Sequence, residues 1–137
     1  MAIQQFNVGI KAAIIHDNKI LIVKHATKDF WDVPGGRIDG NESIHDTLAR
    51  ELSEELPGST LNNIGETVCA YRVPDLVFDD GAGLVLIVYK VDVDLPEPLQ
   101  LSGEHKDAKW TTFDEALELG SHIVKETVSA LRKKEVA

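Results

Sequence analysis

Residues 36–55 read G-R-I-D-G-N-E-S-I-H-D-T-L-A-R-E-L-S-E-E, and the second half of this stretch carries the pattern that decides the fold. Ile44, Leu48, Leu52 and Leu56 recur every fourth residue, the spacing of an apolar stripe along an α-helix. Glu51, Glu54 and Glu55 fall within about 100° of one another on the same helix, at ~100° of rotation per residue. The helix therefore buries one side and presents acid on the other. Ser43 is the expected N-cap, with Asp46 in the place of a capping-box acid. Pro57 disfavours helical geometry in Leu56, and Gly58 can adopt the positive φ that ends a helix, so the helix is expected to stop near Leu56.

Just upstream, Asp39 and Glu42 lie in a glycine-rich loop, so carboxylates from both segments gather around Arg50. Oxygen-only ligands suit a hard cation, magnesium or manganese, whose shell the phosphate oxygens of a substrate can complete. Zinc would require a different donor set. None of the histidines, His16, His25, His45, His105 and His122, forms an H-x-x-x-H or H-E-x-x-H pair. Carboxylates crowded on one helix face repel one another unless a cation or Arg50 relieves them, which favours a functional reading. The plainer alternative is a solvated Glu-rich face.

In the lead-in W-x-x-P-G-G, the residues Trp31, Pro34, Gly35 and Gly36 precede this acid cluster. With them the chain resembles the Nudix hydrolases, MutT-like enzymes whose box is G-x5-E-x7-R-E-U-x-E-E-x-G-U, with U a bulky apolar residue. Gly36, Glu42, Arg50, Glu51, Leu52, Glu54 and Glu55 match it in register, whereas Pro57 stands at the closing glycine and Gly58 comes one residue late. All the matching acids lie upstream of that departure. The flanking strands and the later run K-W-T-T-F-D-E-A are also similar to the family.

The resemblance implies metal ligation by Glu51, Glu54 and Glu55 with the carbonyl of Gly36, and an Arg50 that orients a box glutamate. Gly35 and Gly36 would let the backbone approach metal or phosphate closely, and Glu42 would sit near the metal site or brace the loop on the arginine. Glu104, in the S-G-E-H segment before Trp110, matches loops from which some members extend a further metal-binding or general-base carboxylate. Asp79 and Asp80 are runners-up, equally well explained as a turn. His105 is a further candidate for substrate contact. Trp31, Tyr71 and Phe78 are candidates to stack on a base, with core packing as the alternative, and Trp110 is assigned to the core.

With 137 residues and 43% hydrophobic content the chain has room for one compact domain, residues 1–137. A net charge of −9 opposes binding to polymeric nucleic acid or to an anionic membrane, yet leaves room for a small phosphorylated ligand screened by a cation. The N-terminal Met-Ala-Ile-Gln-Gln-Phe has neither a basic start nor a long apolar run, so a soluble, cytoplasmic protein is expected. A homodimer is compatible with this composition. The single cysteine, Cys69, reads as a buried thiol in a strand.

Residues 6–15 and 19–25 read as a hairpin around His16-Asp17-Asn18, followed by a loop over 26–41. Strands are expected over 67–73, 84–93 and 109–112, a helical turn over 113–119 and a helix over 121–134, with 95–99 as a Pro-rich surface loop. A mixed sheet with the acidic helix on one face and the C-terminal helix on the other, a three-layer α/β/α sandwich, buries every apolar surface. The Nudix resemblance implies the same architecture.

The chemistry that uses these groups is magnesium-assisted attack of water on a nucleoside diphosphate linked to another moiety: a nucleoside triphosphate, an oxidised one, or an ADP-ribose-like compound. Pro74, downstream of Gly58, matches a proline described for ADP-ribose-cleaving members. Two other readings stand beside this one. The first is a nucleotide-sensing module without turnover, which an intact R-E-x-x-E-E argues against. The second is an isomerase, which would need a reactive cysteine where Cys69 sits in an apolar strand.

Overall fold

The computed structural model describes residues 3–101, 103 and 105–136. Strands β1 (Phe6–His16) and β2 (Lys19–His25) are joined by Asp17 and Asn18, whose φ angles of 50° and 60° are those of a two-residue hairpin turn. The hairpin is brief. Only Ile15 opposite Ile20 and His16 opposite Lys19 pair across it before the strands diverge. Downstream of that fork, β2 pairs with β3 (Trp31–Asp32) and with β7 (His105–Thr112). On the other branch, β1 runs parallel to β6 (Gly83–Asp94), from Phe6 opposite Gly83 to Ile14 opposite Val91.

Divergence frees one edge of β1, and β4 (Gly35–Arg37) occupies it, antiparallel, with Gly9 opposite Arg37 and Lys11 opposite Gly35. The expected loop over 26–41 thus holds two short strands. Because Gly35 and Gly36 are pinned to the middle of the sheet, whatever they touch inherits its rigidity.

Strand β5 (Thr60–Arg72) lies antiparallel to β6 and starts well before the expected residue 67. Its first half, T-L-N-N-I-G-E, is mostly exposed and has no alternating apolar pattern to announce a strand. Pairing with the backbone of β6 carries it. The same holds for β7, which starts at His105 rather than 109 because β2 offers a partner along its whole length.

Two apolar layers separate the sheet from its helices. On one face Leu48, Leu52 and Leu56, along and just past α1 (Ile44–Glu55), pack with Ile10, Ala12, Ile14, Leu21 and Val23. On the other, Ala116 of α2 (Phe113–Leu119) and Val124, Val128 and Leu131 of α3 (His122–Val136) pack with Ala13, Ile20, Ile22 and Val88. Alternate residues of β1 and β2 serve opposite layers, as period-two strands require. Each fully buried aliphatic side chain contributes about 1.5–3 kcal/mol. The architecture is the expected α/β/α sandwich around a mixed sheet. Trp110 is half-buried against the first layer, and Trp31 and Tyr71 against the second. Among the described residues no helix is long and apolar enough to cross a membrane.

Candidate active site

Local sequence sets both ends of α1. The Ser43 hydroxyl accepts a 3.1 Å hydrogen bond from the Asp46 amide, capping the first turn. At the other end Leu56 has left helical geometry (φ −125°, ψ 73°), and its amide still donates to the Leu52 carbonyl. Gly58 then takes φ +83°, and the Ser59 hydroxyl adds a second hydrogen bond to the Leu52 carbonyl at 3.1 Å. Glu51, Glu54 and Glu55 therefore project from the last turns of a helix with a firm stop.

The glycine pair of β4 receives two of them. At Gly35 φ is +140°, and a side chain would put its Cβ 2.1 Å from the Ile10 carbonyl oxygen, so only glycine fits. Its amide donates to Glu55 Oε2 at 2.8 Å. Next to it, a Cβ on Gly36 would lie 2.3 Å from the Glu51 carboxyl carbon. Glu51 is seated directly on that glycine.

Arg50 is the hub of the acid cluster. Its Nε and Nη2 donate to Glu42 at 2.7 and 2.9 Å, Nη1 donates to Glu51 at 2.7 Å, and Nη2 also reaches the Arg37 carbonyl at 3.1 Å. Glu54 lies 3.6 Å from Nη1, a turn further along, and its side chain is 56% exposed. The hydrogen bonds from Arg50, reinforced by the Asp39 amide, lower the Glu42 pKa to about 2. The same bond to Glu42 raises the arginine above its ordinary range. Glu42 is thus a fixed anion that braces the loop.

Glu55 is the opposite case. Only 6% of it is exposed, and burial raises its pKa from 4.5 to about 8, against the lowering influence of Lys11 and the Gly35 amide. Glu51 and Asp32 add repulsion. Lys11, 12% exposed, is held 3.3 Å from Asp32. Among the described residues no three His, Cys, Asp or Glu side chains are grouped so that they could by themselves hold a metal ion. The donor set still fits a hard cation: a buried carboxyl beside a second one, both against bare glycine backbone, is relieved by positive charge arriving from the open side.

That open side is a cleft of about 680 Å³, bounded by Phe6, Asn7, Arg37, Asp39, Arg50 and Glu51. A NUDIX domain matches residues 6–131 of the chain. The chain belongs to the NUDIX family. In sequence it is similar to the ADP-ribose pyrophosphatase of Methanocaldococcus jannaschii, 29% identical over 112 residues, 77% of this chain and 60% of the relative. It is also similar to the 8-oxo-dGTP diphosphatase of Buchnera aphidicola subsp. Schizaphis graminum, 47% identical over 47 residues, 31% of this chain and 36% of the relative. The matches thus span less than two thirds of these relatives' length. In structure it is similar to the MutT NUDIX hydrolase of Burkholderia pseudomallei, with a TM-score of 0.79, 25% identity, and 93% of this chain and 99% of that one covered.

The fold brings Gly35, Gly36, Glu42, Arg50, Glu51, Glu54 and Glu55, the residues the resemblance singled out, close together. Glu104 lies outside the described residues, as does the side chain of His105. Asp80 accepts from the Ala82 amide at 2.9 Å, which is the turn reading. Phe78 neither joins the core nor lies free, because the Arg37 guanidinium sits 4.6 Å from its ring centre. Cys69 is half-buried, and desolvation raises its thiol, consistent with an inert role. Sequence reasoning missed Lys11 and Asp32. The available signal was a lysine in the middle of the otherwise apolar run 8–15.

Proposed function

We propose that the chain is a magnesium-dependent pyrophosphohydrolase that cleaves a phosphoanhydride bond in a nucleoside diphosphate linked to a second moiety. The observation that carries this reading is the seating of buried Glu55 on the Gly35 amide beside Glu51 on Gly36, with Glu51 lining an open cleft. Membership of the NUDIX family and the activities of the two relatives support it. The Gly36 carbonyl with Glu51, Glu54 and Glu55 would hold the cation, magnesium by preference and manganese as a substitute. Bound there, it supplies charge neutralisation of the polyphosphate and acidification of the attacking water.

The residues of the chain do the rest. Arg50 fixes the Glu51 carboxylate and, through Glu42, the loop that ends in Asp39, so that the acids meet the substrate without rearrangement. Gly35, Gly36 and Glu42 shape the surface against which the phosphates lie. Water oxygen bonds to phosphorus, the bridging P–O bond breaks, and the released proton passes to Glu51, Glu54 or Glu104. The substrate class spans oxidised or ordinary nucleoside triphosphates and ADP-ribose-like compounds. A release assay for phosphate and AMP over a nucleotide panel, with and without magnesium, tests the proposal. Magnesium-dependent release from one class is the expected result. Binding without release from any compound would establish a sensing module instead.

A further inference from the structure

Resting on the hydrolase reading, a second question is which positive group meets the substrate's phosphate. The chain carries a net charge of −9, so an anionic substrate entering a cleft lined by Asp39 and Glu51 needs a cationic contact besides any bound metal. Arg50 is already committed, because Glu42, Glu51 and the Arg37 carbonyl take its donors. Lys11 is mostly covered and paired with Asp32.

Arg37 differs from both. It lies in β4 directly after Gly36, its side chain is exposed, and it lines the same cleft as Glu51. Among the described residues no carboxylate lies within ion-pair distance of its guanidinium. What holds it is the Phe78 ring, with the guanidinium carbon 4.6 Å from the ring centre. A guanidinium held over a ring without a hydrogen bond or ion pair keeps its N–H groups available, and that fork matches two oxygens of a phosphate. Phe78 itself is held in place by backbone bonds: its amide donates to the Ala82 carbonyl at 2.8 Å, and its carbonyl accepts from the Gly81 amide at 2.8 Å. The ring contact reduces the rotamer freedom the arginine must lose on binding.

We propose that Arg37, held against the Phe78 ring at the mouth of the cleft, grips a phosphate of the substrate, and that Phe78 is its positioning residue. The test uses the full chain with magnesium and inorganic pyrophosphate as the calorimetric probe, alongside KM and kcat on the best nucleotide of the panel. Arg37→Ala should weaken pyrophosphate binding and raise KM by about tenfold, with a smaller effect on kcat and no change in melting temperature. Arg37→Lys should recover only part of the loss, since an ammonium keeps the charge and loses the planar fork. Phe78→Ala should cost about threefold, and the double variant should be no worse than Arg37→Ala, because the ring acts only through the arginine.

Unchanged pyrophosphate binding and KM in Arg37→Ala overturns the proposal, as does a wild-type chain that does not bind pyrophosphate. Fully additive losses in the double variant overturn the role of Phe78. A wild-type chain that binds pyrophosphate through Arg37 but hydrolyses no nucleotide overturns the hydrolase reading and upholds the phosphate contact. Hydrolysis with an unaffected Arg37→Ala overturns the contact alone.

Discussion

The amide of Gly35 donates a 2.8 Å hydrogen bond to Oε2 of Glu55, which ties the strand ahead of α1 to the last residue of that helix. The bond orients a carboxyl whose pKa burial raises to about 8 even with this bond in place. Its folded-state pKa lies above the ordinary 4.5, so between these values the folded chain binds more protons than the unfolded one. The Glu55 contribution is thus fully present below about pH 4.5 and is lost as pH rises through about 8. In metal-free buffer, melting temperature should fall across that window, and Glu55→Gln should flatten the fall. An equal slope in the variant would show that another group is responsible.

Gly36 is where a single methyl group should separate activity from folding. A Cβ there meets the Glu51 carboxyl at 2.3 Å, and the carboxyl can swing away only by giving up its seat and its Arg50 bond. Gly36→Ala is expected to lower turnover by at least about tenfold while melting shifts by only a few degrees. Parallel kinetics and calorimetry on this variant measure both quantities. Wild-type turnover would mean that Glu51 is not needed where it stands.

Glu54 has a side chain 56% exposed and only a 3.6 Å contact to Arg50, so the fold owes it little. Glu54→Gln should nonetheless reduce turnover by roughly 10²-fold, since on the proposed mechanism it is a metal ligand whose loss raises the barrier at about 1.36 kcal/mol per tenfold. Melting should hold or rise slightly as mutual repulsion is relieved.

At the helix exit, Pro57→Gly restores the family residue and should leave magnesium affinity nearly unchanged, with melting lower by a few degrees. Gly58→Ala is the contrasting variant. Its φ of +83° disfavours a side chain, and the new Cβ would press on Pro96 at 3.3 Å, so it should destabilise by about 1 kcal/mol or more. Metal titration and thermal melts distinguish the two.

Glu104→Gln should slow catalysis without weakening magnesium binding to the free chain, as its proposed role of general base requires. Kinetics combined with metal titration on this variant decide the point: unchanged turnover would move the proposed general base to Glu51, Glu54 or Glu55.

Residues 36–59 were legible because their determinants are local. A four-residue apolar period, a serine cap and a proline followed by glycine specify α1 and its ends within one segment, and the acid spacing follows from helical geometry. The layered architecture was legible for the same reason, since alternating and helical periods state which faces must be covered. What the sequence could not determine depends on partners distant along the chain. The strand character of Thr60 and its neighbours comes from β6, and the edge that receives β4 exists only because β1 and β2 part after their turn. Lys11 and Asp32 are 21 residues apart, and Arg37 and Phe78 belong to different segments, yet each pair meets once the sheet is assembled. The acidity of Glu42 and the reluctance of Glu55 to ionise are likewise tertiary properties. Both are glutamates of one motif, and only packing puts an arginine against the first and removes water from the second.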